Sequence, residues 1–279
     1  MRYEFFVTVW DKKFVRKFCD FAITSQLTPN NLPELSNKAD IAYRIYTDKA
    51  SEPHFSPEID FLASYCELEF IFFEDIPYKN GTLAEAIANS DPKIVKHNVQ
   101  RVTSQHHMAL RGGHEKTAVM LMDSDFIFSD GSFLDIHKQR KAGKKVYAGM
   151  FLRLIEEEAG PKLLDHFPEP ITGRELVKLT MEHMHARLKS MFADAEEPSS
   201  YPTQINWVAG NKGFITHCFF PHPLMINVTT DTLRYFSTMD YEVILRAAPD
   251  DDDIYLKNQA DQNSLKAFSA NWFYQNKIL

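Results

Sequence analysis

Residues 118–125 read AVMLMDSD, five apolar side chains running without a break into Asp123-Ser124-Asp125. A short uninterrupted apolar run that ends in turn formers predicts a strand buried on both faces, the kind found inside a parallel sheet. Moving outward from it, apolar strand and amphipathic helix alternate. Toward the amino terminus, residues 3–10 (YEFFVTVW), 41–47 (IAYRIYT) and 67–73 (ELEFIFF) predict three further strands. Between the first two, Phe14, Phe18, Phe21 and Ala22 recur at helical spacing within 11–27, and TPNNLP at 28–33 ends that helix. Ser56-Pro57-Glu58 predicts a cap with proline at the first helical position, opening a helix to about Cys66. Thr82 and Glu85 have capping-box spacing and start a helical stretch that breaks near Asp91-Pro92, continues to Leu110 and stops at Arg111-Gly112-Gly113. Toward the carboxyl terminus, Asp130-Gly131-Ser132 caps a helix ending near Gly143, and 145–151 (KVYAGMF) is a fifth strand.

This order predicts an α/β fold with a mostly parallel, Rossmann-like sheet and helices on both faces. After residue 152 the pattern changes. A polar loop (EEEAGPKLL) precedes a long helix over 173–192, capped by Thr172 and Glu175, with Leu176, Leu179, Met184, Leu188 and Met191 as its stripe. Two strand-like segments at 205–209 and 213–219 follow, then an irregular portion. This part reads as a completing lobe of a single domain over 1–279.

The 279 residues are 44% hydrophobic and 25% charged, which suits a globular core and excludes disordered or fibrous classes. A net charge of −7 leaves no global basic field to attract nucleic acid. Cys19, Cys66 and Cys218 are odd in number and far apart, so reduced thiols are expected instead of a disulfide framework or zinc ribbon. The charge runs Glu156–Glu158 and Asp250–Asp253 read as solvated loops. The start, MRYEFFVTVWDKKF, lacks the order of a signal peptide, and no apolar run approaches the roughly 18 residues of a membrane span. A cytoplasmic location, with peripheral membrane contact left open, is the expectation.

Ligands of open parallel sheets bind beyond the carboxyl ends of strands, where Asp123-Ser124-Asp125 falls. In an extended segment residues i and i+2 project to one side, so both carboxylates would face one hard divalent cation, Mn²⁺ or Mg²⁺, with a diphosphate completing its shell. Spacing alone is weak: 20 aspartates in 279 residues produce about 1.4 such triplets by chance. A turn that solubilises the strand end is the plain alternative.

The strand followed by Asp123-Ser124-Asp125 resembles the DxD core of the GT-A class of nucleotide-sugar-dependent glycosyltransferases. The VTVW strand end at 7–10 and RIYTD at 44–48 occupy the places of that class's first nucleotide-contacting strand ends. The resemblance covers roughly 1–151 in architecture. It implies a nucleotide-sugar-binding half over 1–151 and an acceptor-side half over 152–279. It also implies Asp125 on the metal, Asp123 on the metal or ribose, Thr8, Val9 and Trp10 lining the nucleotide pocket, and Thr47 and Asp48 at the base or ribose. Trp10 reads equally as a core residue.

His217 and His222 stand in THCFFPHPL, and the resemblance makes His222, between Pro221 and Pro223, the better candidate for a further metal ligand. Trp207, before the glycine-bounded loop 210–213, could stack on a sugar or anchor a core. Asp240 and then Glu242 are candidates for the base that activates an acceptor hydroxyl. His97, Arg101, His106 and His107 lie on the helix before the decisive strand. His97, Arg101 and Gln105 share a face there, so Arg101 could meet a diphosphate or simply be solvated.

The expected activity is therefore metal-dependent transfer of a sugar from a nucleoside diphosphate sugar to a hydroxyl-bearing glycan or other acceptor. A non-catalytic sugar- or partner-binding protein on the same fold is the alternative. A nucleotidyltransferase is another, although no Gly-rich stretch with a following basic residue marks the first strand. A haloacid-dehalogenase-type phosphatase is disfavoured because its DxD follows the first strand and here Ile127 stands where a hydroxyl residue is needed. Neither a P-loop nor GxGxxG is present.

Overall fold

A computed structural model describes residues 1–55, 57–90, 92–110, 117–210, 213–228, 241–257 and 265–269. Its strands in chain order are β1 (Arg2–Thr8), β2 (Asp40–Thr47), β3 (Glu67–Phe72), β4 (Pro77–Tyr78), β5 (Gly81–Thr82), β6 (Thr117–Met122) and β7 (Phe126–Phe128). The second half adds β8 (Val146–Gly149), β9 (Arg153–Ile155), β10 (Gln204–Val208), β11 (Phe214–Cys218), β12 (His222–Asn227), β13 (Ile254–Leu256) and β14 (Leu265–Ser269).

Seven of them form the central sheet, in the order β13-β8-β12-β6-β1-β2-β3. β1 runs parallel to both neighbours, with Phe5 opposite Tyr43 on β2 and Met120 on β6, and β3 continues parallel beyond β2. β12 lies antiparallel between β6 and β8, and β13 is parallel to β8. Six strands thus share a direction and β12 opposes them, which makes the sheet mostly parallel as expected.

Both faces are covered, which explains the unbroken apolar runs. One face carries Tyr3, Phe5 and Val7 of β1 with Met120 and Met122 of β6, packed under Val15, Phe18 and Ile23 of the 12–26 helical run and Phe133 of the Ser132–Lys141 helix. The other face carries Phe6, Tyr46, Val119 and Leu121 beneath Val99 and Met108 of the Pro92–Leu110 helix. The capping box at Thr82 is complete, with the Glu85 N–H donating to the threonine hydroxyl (3.2 Å) and the Thr82 N–H to the Glu85 carboxylate (2.9 Å). The three cysteines are unpaired, and burial pushes the thiols of Cys19 and Cys66 up to about 12.

Several expectations need correction. The polar loop EEEAGPKLL is the start of a helix, Glu156–His166. Its three glutamates complement the helix N-terminus, while Ala159, Gly160 and Leu163 bury against Phe21, Ile127 and Leu154. Gly160 lies against the Phe21 ring, where even a Cβ would make an ordinary contact at 3.4 Å. The long helix over 173–192 is two pieces, Gly173–Glu182 and Ala186–Lys189. Residues between them bond instead to β9: the Ile155 N–H donates to His183 O (2.9 Å) and the His185 N–H to Arg153 O (3.0 Å).

The helix opened by Pro57-Glu58 ends at Ala63, short of Cys66, and Ser56 lies outside the described residues, as do Asp91 and 111–116. Asp130 does not cap the following helix: its carboxylate accepts from the Asn30 backbone N–H (2.9 Å) and side-chain amide (2.6 Å), and Gly131 at φ 82° is the N-cap. The acidic run at 250–253 is not wholly solvated, since Asp253 pairs with Lys145 at 2.7 Å. The largest surprise is β12, where a proline-bracketed stretch enters the middle of the sheet. A register shift between Pro223 and Met225 accommodates the proline, which has no N–H to give the ladder. The second half therefore supplies two strands, β12 and β13, to the same sheet as the first. Among the described residues no helix is long and apolar enough to cross a membrane.

Candidate functional site

Strand order runs outward from β1 through β2 to β3 on one side, and from β6 toward β13 on the other. The reversal lies between β1 and β6, and the carboxyl ends there carry Thr8–Asp11 and Asp123–Asp125. Crevices at such points are where open α/β sheets hold ligands.

At the exit of β1, Thr8 is half-buried and its hydroxyl lies 2.7 Å from that of Thr103 on the Pro92–Leu110 helix. Val9 is buried, its N–H bonded to Tyr46 O (2.9 Å). Trp10 is half-buried and sets its ring edge-to-face against Phe73 at 5.6 Å, within the second face's core. Asp11 then turns the chain at φ 71° and ψ 131°, outside the αL well, and its carboxylate caps the next helix by accepting from the Lys13 N–H (3.0 Å). Its N–H donates to Ser51 Oγ (2.8 Å), and the Ser51 N–H donates to Asp48 Oδ1 (2.7 Å), so the exits of β1 and β2 are laced together. Asp48 is thus engaged in holding a loop. Thr47 is fully buried, its hydroxyl enclosed and without a hydrogen-bond partner among the described residues.

At the exit of β6 the chain does not stay extended. The Phe126 N–H donates back to Asp123 O (3.3 Å), a tight turn that replaces the i, i+2 same-side geometry expected for the two aspartates. Both carboxylates remain half-buried at the strand end. Asp123 Oδ1 accepts from Gln100 Nε2 at 2.6 Å.

His222, the first residue of β12, is carried to the same corner because β12 runs antiparallel beside β6. Its Nε2 lies 3.3 Å from Leu121 O, and its ring packs on Phe151 (4.6 Å) and Phe126 (5.3 Å). Among the described residues no group of three or more His, Cys, Asp or Glu side chains is placed to hold a metal ion. Asp123, Asp125 and His222 are thus neighbours at one corner and not a ready-made three-ligand cage. As a donor set, two carboxylates suit a hard cation whose remaining positions are filled by diphosphate oxygens and water.

The helix before β6 presents a different face from the one expected. Val99, Thr103, Ser104, His107 and Met108 are buried, while Arg101 is exposed with its guanidinium 3.4 Å from Asn98 Oδ1. Its neighbour Gln100 is the residue that reaches Asp123. His106 and His107 turn toward the sheet, with Tyr46 Oη 3.3 Å and 3.4 Å from their Nδ1 atoms, and His107 Nε2 lies 3.6 Å from the buried Glu4. Burial lowers the His106 imidazole below its usual range and favours its neutral form. The side chain of His97 lies outside the described residues.

In the second half, Trp207 is 45% exposed on the β10–β11 hairpin, opposite Ile215. His217 is exposed on β11 and packs on Phe219 at 4.8 Å. Asp240 lies outside the described residues, and of Glu242 only the backbone, within the Tyr241–Ala247 helix, is described. Gln100 and Thr103 were missed by the sequence reading. They belong to a polar stripe, Gln100, Thr103, Ser104 and His107, that interleaves with the stripe His97, Arg101 and Gln105. Periodicity marks both stripes equally.

No protein-family model matches the chain, and no curated protein does. Among solved structures, mouse xyloside xylosyltransferase 1 in its apo form is similar at 8% identity and TM-score 0.37, over 61% of this chain and 60% of that one. Residues 1–349 of TarS from S. aureus are similar at 9% identity and TM-score 0.33, over 55% of this chain and 36% of that one. A putative glucose-1-phosphate thymidylyltransferase from Bacillus anthracis in complex with a sucrose is similar at 11% identity and TM-score 0.28, over 57% of each chain. In every case the match spans less than two thirds of the other chain.

Proposed function

We propose that this protein transfers a sugar from a nucleoside diphosphate sugar to a hydroxyl acceptor, with Mn²⁺ or Mg²⁺ held by Asp123 and Asp125. The observation that supports the reading is the position of Asp123-Ser124-Asp125: the carboxyl end of a central parallel strand, beside the exit of β1, where strand order reverses. When bound, the cation offsets the negative charge that builds on the departing nucleoside diphosphate. Asp123 and Asp125 contribute hard oxygens, and Thr8 offers a hydroxyl to the base or ribose. The backbone at Val9 and the ring of Trp10 wall the pocket. His222 orients the corner through its contact with the Leu121 carbonyl. Asp240 or Glu242 takes the proton of the acceptor hydroxyl.

A ligand that binds only the folded protein raises its apparent stability, so melting temperature in the presence of nucleoside diphosphates reads out the site. Stabilisation that requires Mn²⁺ is expected for the native protein. Asp125→Asn is expected to abolish the Mn²⁺-dependent part with the fold intact, and His222→Ala to weaken it less. Unchanged stabilisation in Asp125→Asn overturns the reading. Hydrolysis of the donor without acceptor separates turnover from mere binding.

A further inference from the structure

From the geometry at the β1–β6 junction we infer that Gln100 is a positioning residue that fixes the Asp123 carboxylate for the cation, working as a pair with Thr103, which fixes Thr8. The inference rests on the proposed cation site. Gln100 and Thr103 are three residues apart on the Pro92–Leu110 helix, so their side chains leave one face together. Gln100 meets the exit of β6 and Thr103 the exit of β1.

The direction of each hydrogen bond follows from chemistry. An ionised carboxylate only accepts, so the side of the Gln100 amide 2.6 Å from Asp123 Oδ1 is its nitrogen. One carboxylate oxygen is thereby engaged, and the other is the one that would meet a cation. Thr103 is fully buried, and its hydroxyl lies 3.0 Å from both Val99 O and Gln100 O, the carbonyls of its own helix to which threonine habitually donates. Donation of its single proton to these carbonyls assigns the Thr8 hydroxyl, 2.7 Å away, as the donor to Thr103, although the distance by itself allows either direction. Thr8 then faces the crevice with lone pairs only, and the ligand group it would receive is a donor, such as a base N–H or a sugar hydroxyl. Ser104 donates to Gln100 O (2.6 Å), tying the backbone of the Gln100 turn. One helix thus sets the polarity of both strand ends.

The test uses the full chain with Mn²⁺ and the four nucleoside diphosphates ADP, GDP, CDP and UDP, measuring affinity with and without metal, together with the water-proton relaxation of bound Mn²⁺. A hydrogen bond to a charged group corresponds to a loss of about ten- to hundredfold, and one that acts only through Asp123 falls at the low end, about tenfold. Gln100→Leu is therefore expected to weaken Mn²⁺-dependent binding by about that factor, to change the relaxation signal and to leave metal-free binding unchanged. In an Asp123→Asn background, Gln100→Leu is expected to alter nothing further. Gln100→Met repeats the test should the leucine variant fold poorly. If Asp123→Asn removes metal dependence while Gln100→Leu and Gln100→Met bind as the native protein does, the positioning role is overturned and the cation site stands. If Asp123→Asn has no effect, both fall. A Gln100→Leu loss that persists in the Asp123→Asn background also overturns it, since Gln100 would then not act through Asp123.

Discussion

The central sheet and the β10–β11 hairpin obey opposite rules of burial. In β1, β2 and β6 both faces are buried and mostly apolar because helices lie on each side, and residues 3–7 are buried without exception, the charged Glu4 among them. In the hairpin the two faces differ, and in the unexpected sense. Gln204 and Asn206 point inward at 3% and 0% exposure, while Trp207 and Ile215 point outward at 45% and 66%. The inward face also carries Phe214, packed on Phe192 at 5.6 Å, and its polar residues are organised by hydrogen bonds. Asn206 Oδ1 accepts from Gln204 Nε2 (3.1 Å) and Thr216 Oγ1 (2.7 Å), and the Asn206 N–H donates to Met191 O (2.9 Å). Alternation in a sequence thus identifies a strand but does not say which face the protein keeps; where partners satisfy the polar groups, those can be the buried ones.

Three substitutions would break or sharpen this contrast. Phe5→Ala empties a site between Tyr43, stacked at 5.4 Å, and Phe133, edge-on at 5.1 Å. The expected loss is about 3–5 kcal/mol in urea unfolding, because packed neighbours close such a cavity only in part. Asn206→Ala leaves the Gln204 and Thr216 donors without their acceptor in a buried place, and about 1–3 kcal/mol should be lost. A cost below that of the outward Trp207 would show that the hairpin faces are not inverted. Trp207→Ser should shift stability by no more than about 0.5 kcal/mol, since its ring faces solvent. A larger loss would mean that the ring packs as core.

How much was legible follows the same division. The strands at 3–10, 41–47 and 118–122 could be read closely because two-sided burial leaves a run broken at most by one charged residue, Glu4 or Arg44, and the edge strand at 67–73 because Glu67 and Glu69 alternate with Leu68 and Phe70. The capping boxes at Thr82 and Thr172 were legible because their chemistry is local: the threonine and a glutamate three residues on satisfy one helix end between them. β12 was not, because Pro221 and Pro223 mimic a loop and only its neighbours β6 and β8 make a bulged strand there favourable. The Glu156–His166 helix was hidden for a related reason: its polar first turn and Pro161 read as loop, and its three buried residues find their partners far away in sequence.

At the candidate site, Asp123-Ser124-Asp125 was legible from the strand before it, but its turn was not. Arg101 stood out and Gln100 did not, because charge is visible in a sequence and helix rotation against a sheet is not. Within its own order of residues the chain determined the alternation of strand and helix, the caps and the acidic pair at a strand end, since all of these depend on neighbours a few positions away. Only the tertiary structure decided that a late strand would carry His222 to that pair, that Gln100 would grip Asp123, and that a hairpin would turn its polar face inward. Those outcomes depend on which surfaces meet across a hundred residues or more, and such meetings are chosen by packing and hydrogen-bond satisfaction in three dimensions.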